Sequence, residues 1–170
     1  MSVETEVGQA RRATLADAPA IAAIYNQGIE GHHATCEVRL REAYEIKNWF
    51  DGIHPIVVVE RRGRVIAFAS TATYSYHECY AGIAEFSVYV DAEFRGCGAG
   101  RLAMETLIAQ AEKAGFWKLV SRVLVQNQAS RHLLGSLGFE EVGIHKKHGK
   151  VDGVWQDMVI VERLIPSNQD

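Results

Sequence analysis

The sequence has no apolar stretch that approaches the length needed to cross a bilayer. Its opening residues, MSVETEVGQARR, lack the charged-then-apolar order of a secretory signal. Together these absences predict a cytoplasmic chain with no membrane partner. A dominant charge is also missing, because 18 Lys plus Arg face 21 Asp plus Glu, for a formal net charge of -3. That balance gives no general attraction to nucleic acid, so any anion the chain binds must be held by local groups. Cysteine is scarce: Cys36, Cys79 and Cys97 form no CxxC pair and show no ligand spacing with histidines. Free thiols and no metal are the expectation. With no repeat, linker or low-complexity tract, and with 48% hydrophobic residues to build a core, residues 1–170 read as one domain.

What is present alternates between strand-like and helix-like patterns. Thr14-Leu15-Ala16-Asp17 has the form of a capping box, and Ile21, Ile24, Tyr25 and Ile29 follow at helical spacing. A second helix is predicted over 41–50, with the polar loop EGHHATCEVRL between the two. Three apolar runs, IVVVE, VIAFASTATY and GIAEFSVYV, are joined by short connections and read as antiparallel neighbours. Helices over 98–114 and 127–137 then flank the strand KLVSRVLV, and the chain closes with two strands around Asp152-Gly153. The pattern is that of an α/β fold with a mixed sheet.

One segment carries more glycine than folding alone demands. In VYVDAEFRGCGAGRL, Gly96, Gly98 and Gly100 stand between a strand and a helix, with Arg95 and Arg101 on either side. Glycines let backbone approach a ligand, and a helix start presents unpaired N–H groups with a positive dipole. The segment is either an anion cradle or a turn that needs steric room. A P-loop would require Gly-Lys-Ser/Thr where the chain has Gly100-Arg101-Leu102, and a dinucleotide fingerprint would require glycine at 101. Glu85, in the apolar run GIAEFSVYV, either faces water or enters a cleft. Asn127 and Ser130 are placed to cap a helix or to face a ligand.

The arrangement Arg95-x-x-Gly98-x-Gly100 after SVYV resembles the acyl-CoA motif of the GNAT N-acetyltransferase superfamily. The resemblance runs from RRAT to VIVERLI, and EFSVYVDAEFRGCGAGRLAMETLI with NQASRHLLGSLGF is similar to the phosphinothricin- and arsinothricin-type branch. It implies the GNAT fold, a mixed and mostly antiparallel sheet of about seven strands flanked by four helices. It implies acetyl-CoA as cosubstrate, held by the backbone of Val88 and Val90, by Arg95, Gly96, Cys97, Gly98, Ala99, Gly100 and Arg101, and by Asn127 and Ser130. Glu85 would be the general base, acting through water on the amine of a small amino-acid-like acceptor. A homodimer is also implied. Where many relatives carry Tyr or His as a general acid seven residues after the Asn, this chain has Leu134. Where phosphinothricin enzymes carry an Arg-x-Arg anion clamp ten and eight residues before the base, it has Ser75 and His77. Acceptor contacts are therefore expected from Tyr74, Ser75 and His77, from His32, His33, Thr35 and Glu37 in the first interhelical loop, and from Trp155. The departures leave open a non-catalytic acyl-CoA sensor, or an enzyme acting on protein N-termini or lysines.

Overall fold

The computed structural model describes residues 7–31 and 35–170. The described elements are β1 (Gln9–Arg12), α1 (Ala18–Glu30), α2 (Ala43–Lys47), β2 (Ile56–Arg61), β3 (Arg64–Thr73), β4 (Ile83–Val90), α3 (Ala99–Lys113), β5 (Lys118–Leu124), α4 (Gln128–Ser136), β6 (Glu140–Val151) and β7 (Val154–Leu164). They form a seven-stranded sheet in the order β1-β2-β3-β4-β5-β7-β6 with four α-helices, as the α/β expectation had it. Among the described strands β4 and β5 are the parallel pair, and the other neighbours run antiparallel.

Local chemistry accounts for the turns. Arg62 and Gly63 (φ 52° and 77°) and Asp152 and Gly153 (φ 49° and 79°) are left-handed pairs, the backbone that tight hairpins require to match strand twist. The β2–β3 and β6–β7 hairpins follow from these short links, while the longer segment 74–82 returns the chain as β4 antiparallel to β3. The second helix is shorter than its pattern predicts, with α-helix confined to 43–47, and hydrogen-bonded turns carry the chain on to Phe50.

Strand alternation sends apolar residues to both faces. Val57, Val59, Ala67, Ala84 and Phe86 pack with Met104, Leu107 and Leu134 from α3 and α4. Val58 and Phe68 pack with Ile21, Ile24 and Ile46 from α1 and α2. In β4, therefore, Ala84 and Phe86 are buried beneath α3 and α4, while Glu85, Ser87 and Tyr89 turn to the opposite face.

The start of α1 carries a testable charge. Asp17 is buried, accepts from Arg11 Nη1 (2.8 Å), Arg11 Nη2 (2.9 Å) and Thr14 N (2.8 Å), and completes the capping box. The Arg11 guanidinium holds the Asp17 carboxyl below its ordinary range. A carboxyl depressed in the fold stabilises it above the unfolded value, about pH 3.9, and that contribution disappears as pH falls through the folded value. Asp17→Asn is expected to cost about 1–3 kcal/mol at pH 7. It should also flatten the loss of melting temperature below about pH 4, and an acid slope equal to that of the wild type would remove Asp17 from this role.

Candidate active site

The site begins where two strands part. β4 and β5 pair at Ile83↔Lys118, Ala84↔Leu119 and Glu85↔Val120, and no pair follows. Beyond Glu85 the edge of β4 is open, and Ser121 Oγ donates to the Phe86 carbonyl across the fork at 2.8 Å. Backbone polar groups alternate between the two edges of a strand, so the Val88 and Val90 N–H and C=O groups lie on the same open edge as that carbonyl. Their side chains pack against the core under α3, leaving only backbone to serve a ligand. The cleft inside the fork is lined by Phe86 to Tyr89, Ser121 to Val123, Asn127, Ser130 and Leu134.

The glycine segment divides its labour by position. Gly96 (φ 78°) and Gly98 (φ 92°) hold left-handed backbone, and Gly98 is the N-cap of the 15-residue α3. Gly100 is ordinary helix, but a Cβ there would stand 3.2 Å from Val90 Cγ2 and 3.4 Å from a Leu133 methyl, so it is bare for packing. The first helical hydrogen bond runs from Leu102 N to Gly98 O, leaving the N–H groups before it at the helix start open to an anion. Arg95 is exposed beside them. Cys97 turns its Sγ onto the Phe94 carbonyl (2.8 Å), so its backbone rather than its thiol faces the segment's mouth. Arg101 reaches away, bonding Ser136 Oγ at 2.5 Å and lying 3.7 Å from Glu105.

Asn127 does what a cap does: its Oδ1 accepts from Ser130 N at 3.2 Å at the start of α4. It lines the cleft as well, as does Ser130. Leu134 is buried in the core and offers no proton to the cleft.

On the other face of β4 lies a cavity of about 510 Å³, within the roughly 300–1,000 Å³ range of small-molecule sites. Glu85, Ser87 and Tyr89 form one wall, Thr35, Cys36 and Glu37 from the interhelical loop another, and Arg122, His148 and Met158 a third. Arg122 Nη2 donates to Glu85 Oε1 at 3.1 Å, and its Nη1 lies 3.2 Å from His148 Nε2. Tyr25 and Tyr89 meet edge-on at 5.2 Å as an apolar floor. Burial pushes both phenols upward, so they remain neutral hydroxyls. Burial likewise raises the Cys36 thiol, which stays protonated and is a poor nucleophile. Among the described residues no group of three or more His, Cys, Asp or Glu is placed to hold a metal ion.

The expected acceptor residues are only partly gathered here. Thr35 and Glu37 line this cavity, and Tyr74 and Ser75 line an adjoining hollow that also reaches Glu85 and Arg122. His77 stands exposed outside both, its ring 6.4 Å from Tyr80. Trp155 sits half-exposed at the β6–β7 hairpin tip with Lys150 Nζ 5.2 Å from its ring, away from both hollows. His32 and His33 lie outside the described residues. Two residues outside the expected acceptor set line the cavity as well. Arg122 carried the same signal as Glu85, a charge inside an apolar strand, in KLVSRVLV. His148 is brought in by a bulge between His145 and Gly149, where Lys147 takes φ 48° and bonds Asp157.

Known proteins agree with this geometry. The model of the acetyltransferase (GNAT) family matches residues 19–139. The L-amino acid N-acyltransferase MnaT of Escherichia coli is 32% identical over 156 residues, covering 89% of this chain and 91% of that one. The L-methionine sulfoximine/L-methionine sulfone acetyltransferase of Pseudomonas paraeruginosa is 32% identical over 157 residues, again 89% and 91%. A crystal structure of a phosphinothricin acetyltransferase from Sinorhizobium meliloti in complex with acetyl-CoA superposes with a TM-score of 0.87 at 28% identity, covering 94% of this chain and 89% of that one. With its strand fork and glycine-capped helix in that company, the chain belongs to the acetyltransferase (GNAT) family, in its phosphinothricin-type branch.

Proposed function

We propose that this chain transfers acetyl from acetyl-CoA to the primary amine of a small amino-acid-like acceptor, with Glu85 as a general base acting through water. The observation that carries the reading is the place of Glu85, at the last β4–β5 pair, where the cleft of the fork meets the acceptor cavity. The cleft fits acetyl-CoA, since its open strand edge suits the amide arm and the start of α3 offers N–H groups to the pyrophosphate. Asn127 and Ser130 lie along the same route.

When bound, acetyl-CoA supplies a thioester whose C–S bond breaks as the acceptor nitrogen forms the new C–N bond. Glu85 removes the ammonium proton through a bridging water, which frees the lone pair for attack. The open backbone N–H of Val88 is aimed to stabilise negative charge on the carbonyl oxygen. Leu134 cannot donate, so the departing thiolate takes, through water, the second proton that the acceptor nitrogen sheds as the amide forms; a thiol with an ordinary pKa near 8.5 leaves without a dedicated acid. The raised Cys36 thiol argues for direct attack over an acyl-cysteine route. The relatives' acceptors, L-amino acids and methionine sulfoximine, set the class to be tried first.

Thiol release from acetyl-CoA across amino acids, their sulfoximine and phosphinate analogues, polyamines and peptides tests the reading. Release should rise with an amino-acid-like acceptor. Binding of acetyl-CoA with no acceptor raising release above hydrolysis would favour a sensor, and release with peptides alone would favour protein acetylation. We also propose a cytoplasmic homodimer. The long edge strand β6, with Val142 and Ile144 exposed, offers a surface for a second copy, and solution mass is the test.

A further inference from the structure

We infer that Arg122 binds the acceptor's carboxylate, restricting this enzyme to amines that carry a carboxylate beside the amine. The inference rests on the acetyl-transfer reading and names the specificity determinant of that same site.

Four observations converge on it. First, Arg122 and Glu85 face each other at 3.1 Å inside the acceptor cavity, presenting a cation and an anion side by side. An α-amino acid carries its ammonium and carboxylate on one carbon, so its charges mirror that pair. Second, Arg122 supplies the guanidinium of the cavity among the described residues, and guanidinium presents a planar fork that matches a carboxylate. Neighbouring cations are committed elsewhere, Arg41 to Glu37 at 3.1 Å and Lys118 to Glu162 at 2.5 Å. Third, Arg122 is half-exposed and its ion pair is easily exchanged, because solvent-screened pairs are weak. The contacts to Glu85 and His148 use two of its five N–H donors. Fourth, Ser75 and His77, ahead of Glu85 in the chain, offer the cavity no cation, since Ser75 is neutral and lines only the adjoining hollow and His77 stands outside both.

The exchange has a mechanical consequence. In the resting pair Arg122 engages Oε1 of Glu85, and Oε2 is left to accept from a water when Glu85 acts as a base. An acceptor carboxylate that draws Arg122 toward itself frees Oε1 as well. His148, set by the β6 bulge, accepts from Arg122 on the other side and keeps the guanidinium across the cavity mouth during the exchange.

The test compares L-methionine sulfone with its own carboxamide, which keeps the amine and side chain and loses the carboxylate. Steady-state acetylation is measured for the wild type, Arg122→Gln and Arg122→Lys. Melting temperatures and acetyl-CoA affinity are measured alongside, to show that each variant is folded and holds its cosubstrate. The wild type should prefer the acid. Discrimination, the kcat/KM ratio of acid to carboxamide, should fall about 10- to 100-fold in Arg122→Gln, chiefly through KM for the acid, with Arg122→Lys between the two. Comparing that ratio between wild type and variant cancels the carboxamide's more acidic ammonium, which is the same for every enzyme. Equal loss on both acceptors, with discrimination kept, would show that Arg122 acts only by positioning Glu85 and would overturn the inference. So would a wild type that acetylates both acceptors equally well, which would leave the transferase reading intact. A wild type that binds acetyl-CoA and acetylates neither would overturn both.

Discussion

Glu85→Gln is expected to bind acetyl-CoA as the wild type does and to lose about 10²–10⁴-fold in kcat at neutral pH, the usual worth of a positioned general base. Glutamine keeps the size of the side chain and a carbonyl oxygen to accept from Arg122, so the fork and cavity should stand. What disappears is the proton acceptor. At neutral pH the acceptor amine is almost wholly ammonium and must lose a proton before it can attack. As pH rises, free amine arrives from solution without help, so the ratio of wild-type to variant kcat should shrink steadily on the alkaline side. The measurements are acetyl-CoA titration calorimetry and kcat from pH 6.5 to 9.5. Unchanged turnover at pH 7 would remove Glu85 from catalysis. A large deficit that stays constant with pH would assign it to holding Arg122 rather than to moving a proton.

Patterns local in the chain were readable without coordinates, and contacts made across the sheet were not. Hairpins at Arg62-Gly63 and Asp152-Gly153, the capping box at Thr14 and the glycine cap of α3 are each written within a few residues. Glu85 was visible as a charge in an apolar run, although its neighbours were hidden. Arg122 meets it only because the chain leaves β4, passes through α3 and returns as β5 in parallel register, a juxtaposition no spacing rule encodes. His148 was hidden for a different reason. Strict alternation from His145 would send it to the other face, and the bulge with Lys147 in left-handed backbone reverses that. Arg101 stands beside the glycines in sequence, and in the fold its guanidinium bonds Ser136 Oγ. Motifs marked the backbone of the candidate site, and the meeting of Glu85, Arg122 and His148 came from tertiary crossings.

The same fork makes a large stability effect predictable at Phe86. Its ring is 2% exposed and lies 4.8 Å from that of Phe139, while its carbonyl takes the Ser121 hydrogen bond that spans β4 and β5. Phe86→Ala removes the ring and leaves a cavity beneath α4, which costs about 3–5 kcal/mol. In a chain of this length each kcal/mol lowers the melting temperature by about 2–4 °C, so a fall of roughly 6–20 °C is expected. Tyr76→Ala, at a fully exposed side chain, is the matched control and should move it little. Because the backbone of residue 86 persists, the Ser121 bond and the open edge beyond it should survive, and acetyl-CoA should still bind. At one hundred times its dissociation constant it should restore about 2.7 kcal/mol, since it binds the folded state alone. Large destabilisation with ligand rescue is what a packing defect behind an intact site produces. A melting temperature within the control's range would mean that the inner face of β4 is not packed as the contacts require. A full loss without rescue would mean that the ring itself holds the fork open.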